Sequence, residues 1–140
     1  MDTLWEARYD TGIDLIDTQH RDLVAAVNRL RRSVLERCGR VDIERQVHQV
    51  VALAEEHIAS EESLMAEEGY PDLGPHTVEH ASMMDRLYEL ETRLREGNDA
   101  VAMMVTTFVD GWLKHHVSEG DLGFVAFLEE KRRKQAGRQS

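Results

Sequence analysis

A chain of 140 residues, 41% hydrophobic and 31% charged, carries enough apolar surface to close one core without staples, and its 6% aromatic content and two prolines favour helix over a β-sandwich. A formal charge of −10 opposes the phosphates of a nucleic-acid partner. No apolar run approaches the ~20 residues needed to cross a bilayer, Cys38 is a lone cysteine, and Met1 to Glu6 lack the basic-then-apolar run of a signal peptide. These features point to a cytoplasmic protein with no membrane span and no internal disulfide.

The first dozen residues, with Trp5, Tyr9 and Gly12, have no helical period and read as an extended arm. From Ile16 onward Ile16, His20, Leu23, Val24, Val27, Leu30, Val34 and Leu35 recur at steps of three and four, which predicts a first helix with Asp14 or Asp17 as N-cap and Gly39 past its end. A second helix is expected after Asp42, its stripe running through Ile43, Val47, Val50, Ala54, His57, Ile58, Glu61, Leu64 and Met65 to a stop at Gly69. Asp72 is placed to cap a third, with His76, His80, Met83, Leu87, Leu90 and Leu94 in line until Glu96-Gly97-Asn98. The fourth begins near Asp99 and aligns Val101, Met104, Val105, Phe108, Trp112 and His116, with Gly120 interrupting it. Short connections predict an all-α fold, an up-down-up-down antiparallel four-helix bundle, over residues 1–130. The basic run from Lys131 to Lys134 opens a polar segment, 131–140, expected to be a frayed tail.

His57 and Glu61 stand four residues apart, as do His76 and His80, so each pair falls on one face of its helix, and the turn between the helices brings the pairs together. His20 lies upstream, and His116 with Asp121 downstream. A helical histidine is ordinarily just a polar side chain. His20, His57, Glu61, His76, His80 and His116, however, all lie on stripes that Leu, Val, Ile and Met define as core, where unpartnered polar groups would cost several kcal/mol. A metal centre removes that cost. His48 and His115 fall off the stripes and read as surface residues. Asp121 is five residues from His116, about 140° around a regular helix, so it joins the set only if a π-bulge or loosened turn forms near Gly120.

Imidazole with carboxylate suits Fe, Mn, Co or Zn, and the lack of thiolates argues against structural zinc or an iron–sulfur cluster. Two irons offer about twelve coordination positions. Five imidazoles, two bridging carboxylates and a bridging oxygen fill all but one, leaving room for a small diatomic ligand.

His20, His57-x-x-x-Glu61, His76-x-x-x-His80 and His116-x-x-x-x-Asp121, together with Trp5, Gly12-Ile13, Asp17-x-Gln19-His20, Glu62, Met65, Gly69-Tyr70 and Trp112-Leu113, resemble the hemerythrin family over about residues 4–128. The resemblance implies a non-heme di-iron centre with an oxo or hydroxo bridge. One iron would take His76, His80 and His116, the other His20 and His57, and Glu61 and Asp121 would bridge. It also implies reversible O2 binding at the two-histidine iron, for storage, delivery or sensing, inside a pocket of Leu23, Ile58, Trp112, Leu113 and Val117. The same centre could instead serve an enzyme that reduces peroxide or nitric oxide, or a sensor acting through a protein partner that the sequence does not name. Ile58, Val117 and Phe124 depart from the Phe, Ile and aromatic hydroxyl common at those positions in the family.

Overall fold

The computed structural model describes residues 9–139, and among them every regular element is helical. Helix α1 spans Asp14–Leu35, α2 Arg40–Glu68, α3 Leu73–Arg95 and α4 Val101–His115; a π-helical segment, His116–Asp121, then leads into α5, Leu122–Gln139. The arm expected over the first dozen residues, including Trp5, lies mostly outside the described residues.

Asp17 does not cap α1. Ile13 occupies the N-cap position without a side-chain bond. The buried Asp17 carboxylate instead accepts hydrogen bonds from Thr11 N at 2.8 Å, Thr11 Oγ1 at 2.7 Å and Gly12 N at 3.0 Å, tying the incoming chain to the helix. Gly12 sits at φ 82, a conformation that side-chain-bearing residues adopt only with strain. At the other end of α1 the left-handed residue is Arg37, φ 57, while Gly39 serves as the N-cap position of α2. Gly69 ends α2 in the left-handed conformation, its N–H reaching Ala66 O, as its place in the sequence suggests. Asp72 holds the N-cap position of α3 but makes no side-chain bond there.

The buried face of α4 is rotated from the expected stripe. Val101, Ala102, Val105, Thr106, Val109 and Leu113 face inward, Phe108 and Trp112 sit half-buried at the margin, and Met104 is exposed. Aliphatic side chains and Thr106 fill the inward face, and the aromatic Phe108 and Trp112 cover its margin. Thr106 satisfies its buried hydroxyl by donating to Met103 O at 2.7 Å.

Residues 131–139, expected as a frayed tail, continue α5 instead. Lys131 Nζ donates to Glu68 O at 2.9 Å and pairs with Glu68 Oε2 at 3.0 Å, placing a cation at the C-terminal end of α2.

Helix α1 packs on α2 and α4, and α3 packs on the same two. The helical bundle is cross-linked near both ends. Gln19 at the start of α1 bonds Ser60 late in α2, while Ser33 late in α1 bonds Gln46 early in α2. Between α2 and α3, Glu62 meets His80 and His48 meets Glu91. One apolar cluster fills most of the length, from Leu23 and Ile58 to Leu30, Leu90 and Val101, and a smaller one of Met65, Phe124 and Leu128 seats α5. Among the described residues no helix is long and apolar enough to cross a membrane.

Candidate metal centre

All seven residues singled out in the sequence meet at one level of the bundle, each no more than 5% exposed. Helix α1 supplies His20, α2 His57 and Glu61, α3 His76 and His80, and the two ends of the π segment His116 and Asp121. The two i,i+4 pairs need only regular helix. The i,i+5 pair needs the wider π turn, whose i→i+5 bonding brings residue 121 back over residue 116.

Glu61 stands at the centre. Its Oε2 is 3.0 Å from His57 Nε2, and its Oε1 is 3.0 Å from His116 Nε2 and 3.3 Å from His80 Nε2, with His76 Nε2 in close contact as well. Asp121 reaches His20 Nε2 and His116 Nε2, both at 3.0 Å, and His76 Nε2 at 3.8 Å. His20 Nε2 and His57 Nε2 face each other at 3.1 Å. His48 and His115, set aside in the sequence, are exposed.

Three further residues shape the site without entering the sequence-based donor set. Gln19 Oε1 accepts from His57 Nδ1 at 3.1 Å, and its amide nitrogen donates to Ser60 Oγ at 3.0 Å. Glu62 Oε1 accepts from His80 Nδ1 at 3.3 Å. Each acceptor oxygen favours a ring proton on Nδ1, so when a cation takes the place of the protons between the rings and Glu61, both rings can turn an Nε2 lone pair toward it. The third is Gly120, where a Cβ would lie 2.6 Å from His76 Cε1, so any larger residue there would force the His76 ring or the π segment to shift. The family-like stretch Asp17-x-Gln19-His20 and the Glu61-Glu62 doublet carry two of these residues in sequence, yet periodicity assigns them no role.

Of the five expected pocket residues, Leu23, Ile58, Leu113 and Val117 are buried members of the main apolar cluster. Trp112 is half-buried and stacks on His116, with ring centroids 4.3 Å apart and planes 14° from parallel.

Electrostatics show what the cluster costs without a cation. Burial works to raise the Glu61 carboxyl, but ring donors from His116, His57, His76 and His80 overcome it and hold the group well below its ordinary value. Burial likewise opposes charge on His116; Asp121 and then Glu61 prevail, lifting its pKa to about 10. For His57 burial wins and lowers the pKa below 6.5 despite Glu61. The inward His80 Nε2 and both Asp121 oxygens have short distances to neighbours but no well-aligned hydrogen bond. Inward-facing imidazole nitrogens and two carboxylates converging in a dry space fit a multivalent cation.

The donor atoms form two overlapping groups, one of His20, His57, Glu61, His116 and Asp121, the other of Glu61, His76, His80 and His116, each with its atoms within 4.8 Å of one another. Compared with known families, residues 11–128 match the model of the hemerythrin HHE cation binding domain. The chain belongs to the hemerythrin family. Hemerythrins are non-heme di-iron proteins, and the buried His/Glu/Asp cluster fits a metal site. The chain is similar to a bacteriohemerythrin of Stenotrophomonas maltophilia, 30% identical over 123 residues that cover 86% of this chain and 78% of the relative. It is also similar to bacteriohemerythrins of Methylococcus capsulatus, 28% identical over 82% of this chain and 87% of the relative, and Clostridium acetobutylicum, 27% identical over 87% and 98%.

Proposed function

We propose that this hemerythrin-family chain is an O2-binding protein that holds two irons in the seven-residue cluster, with His76, His80 and His116 on one, His20 and His57 on the other, and Glu61 and Asp121 bridging beside an oxo or hydroxo group. The observation that carries this reading is the pair of overlapping donor groups, which share Glu61 and His116 and together contain more donors than one metal can use. The irons, when bound, supply two reducing equivalents for reversible O2 binding. The chain's own residues keep the ligand dry and fixed. Leu23, Ile58, Leu113 and Val117 wall one side with apolar surface, and Trp112 stacks on His116 between the site and the outside.

Five imidazoles to two carboxylates favours carrying a diatomic over attacking a substrate, because few carboxylates are available to shift and open a position. Cross-links at both ends of the α1–α2 and α2–α3 pairs support an up-down-up-down course, which sets four donor-bearing helices around one axis. The exposed, unpaired Cys38 suits a reducing cytoplasm. The domain is taken to span residues 1–130, with the last turns of α5 running on past it.

The test is to add O2 to the anaerobically prepared diferrous protein while recording its spectrum, then to remove the gas. Carriage predicts a coloured adduct at one O2 per two irons that reverts under argon. Rapid irreversible oxidation, or turnover of peroxide or nitric oxide, would shift the assignment to the enzymatic alternative.

A further inference from the structure

His57 and His80 are held at their outer nitrogens by chemically unlike groups, and the difference falls across the two metal positions. His57 donates from Nδ1 to Gln19, a neutral amide that is itself buried and locked by Ser60. His80 donates from Nδ1 to Glu62, a carboxylate whose side chain is 29% exposed. A hydrogen bond to an ionised acceptor is roughly twice as strong as a neutral one. It draws the ring proton outward and makes the opposite nitrogen a stronger donor to whatever it binds.

We infer that Gln19 and Glu62 are positioning residues that make the two metal positions electronically unequal. Glu62, acting through His80, stabilises the higher oxidation state at the position of His76, His80 and His116. Gln19, acting through His57, leaves the position of His20 and His57 the easier to reduce. The effect adds to the unequal imidazole count of the two positions and rests on the di-iron reading given above. With two irons bound, one electron from dithionite, the reductant in the test, would take FeIIIFeIII to FeIIIFeII without breaking a protein bond, and would lodge on the His57 side. The second electron then enters the His80 side at lower potential. The first site reduced would thus be the position of His20 and His57, where the proposed function places O2.

Two measurements on Glu62→Gln, a near-isosteric change at a partly exposed position, test the inference, with Gln19→Glu as its reciprocal. In the zinc-loaded protein, 15N-edited NMR should show the His80 Nδ1–H proton well downfield of that of His57; Glu62→Gln should bring it into the His57 range and leave His57 unmoved. In the iron-loaded protein, a potentiometric titration with dithionite should resolve two one-electron steps. Glu62→Gln should raise the second and Gln19→Glu lower the first, each narrowing the gap and reducing the comproportionation constant about tenfold. Equal Nδ1–H shifts for the two rings in the wild-type protein, or a gap unchanged in Glu62→Gln, would overturn the asymmetry. Should the protein hold one iron only, the di-iron reading falls, and the zinc spectra still decide whether Glu62 and Gln19 treat their histidines differently.

Discussion

The same helices build two halves that are equally buried and chemically opposite. Toward the α1–α2 and α3–α4 connections lie Leu30, Val47, Val50, Leu87, Leu90, Leu94, Val101 and Val105, all 0–1% exposed and all aliphatic. Toward the α2–α3 turn the same depth holds five imidazoles and two carboxylates. The aliphatic half gains from every contact whatever is bound, because removing apolar surface from water is favourable by itself. The donor half loses solvation on folding and recovers it only through protons or a cation. Cooperative folding therefore belongs to one half and cofactor dependence to the other. Metal removal should loosen the donor half while the aliphatic half stays closed.

Glu61→Ala should break the donor half most completely, since that carboxylate touches four of the five rings. Iron content should fall from two per chain to one or fewer, while circular dichroism retains its helical signal; collapse of the whole fold would show that the halves are not separable. Leu87→Ala is the converse. Deleting a fully buried leucine should cost about 2–5 kcal/mol in chemical denaturation, with two irons still bound by the folded protein.

Two glycines sharpen the contrast at smaller scale. Gly120→Ala drives a Cβ toward the His76 ring and should destabilise the iron-loaded protein by about 1–3 kcal/mol, with slower iron uptake. Gly111→Ala, on the exposed side of α4 with nothing within 4 Å of the new atom, should stabilise it by up to about 1 kcal/mol. Thermal melts of the pair decide the matter; matching shifts would remove the claim that close approach to His76 constrains Gly120.

The stability of the metal-free chain should also depend on pH. His116 is raised from 6.5 to about 10, so its contribution is fully present below pH 6.5 and is lost as pH rises toward 10. His57 is lowered from 6.5, so the unfolded chain takes up a proton there first and stability falls as pH drops below 6.5. Glu61 is held below 4.5 and adds a second loss on the acid side. Metal-free stability should peak near pH 6.5. Bound iron, which takes the place of the His116 proton, should abolish the alkaline decline. Urea titrations between pH 5 and pH 10 with and without iron measure this, and parallel curves would contradict it.

Much of the donor half is legible in sequence because helical spacing alone puts His57 with Glu61 and His76 with His80. Asp121 is not, since a regular helix points it away from His116; Gly120 hints at the local change, but its contact with His76 is tertiary. Gln19 and Glu62 also leave no periodic trace, as their roles depend on which ring nitrogen lies opposite. On α4 the largest side chains mark the margin, so size misplaces the stripe onto Met104 while Ala102 and Thr106 are buried. Asp17 has the composition of a cap, yet its carboxylate faces Thr11 and Gly12, a choice made by how the chain enters α1. The basic run from Lys131 reads as a tail because its anchor, the end of α2, is 63 residues away.

The central claim is that one buried cluster of seven donors holds two irons, and counting metal tests it. Metal-free protein titrated anaerobically with ferrous iron, then freed of excess and assayed for iron per chain, should saturate at two, because seven donors exceed what one metal can use. Saturation at one iron per chain, or retention of zinc in preference to iron, would contradict the account.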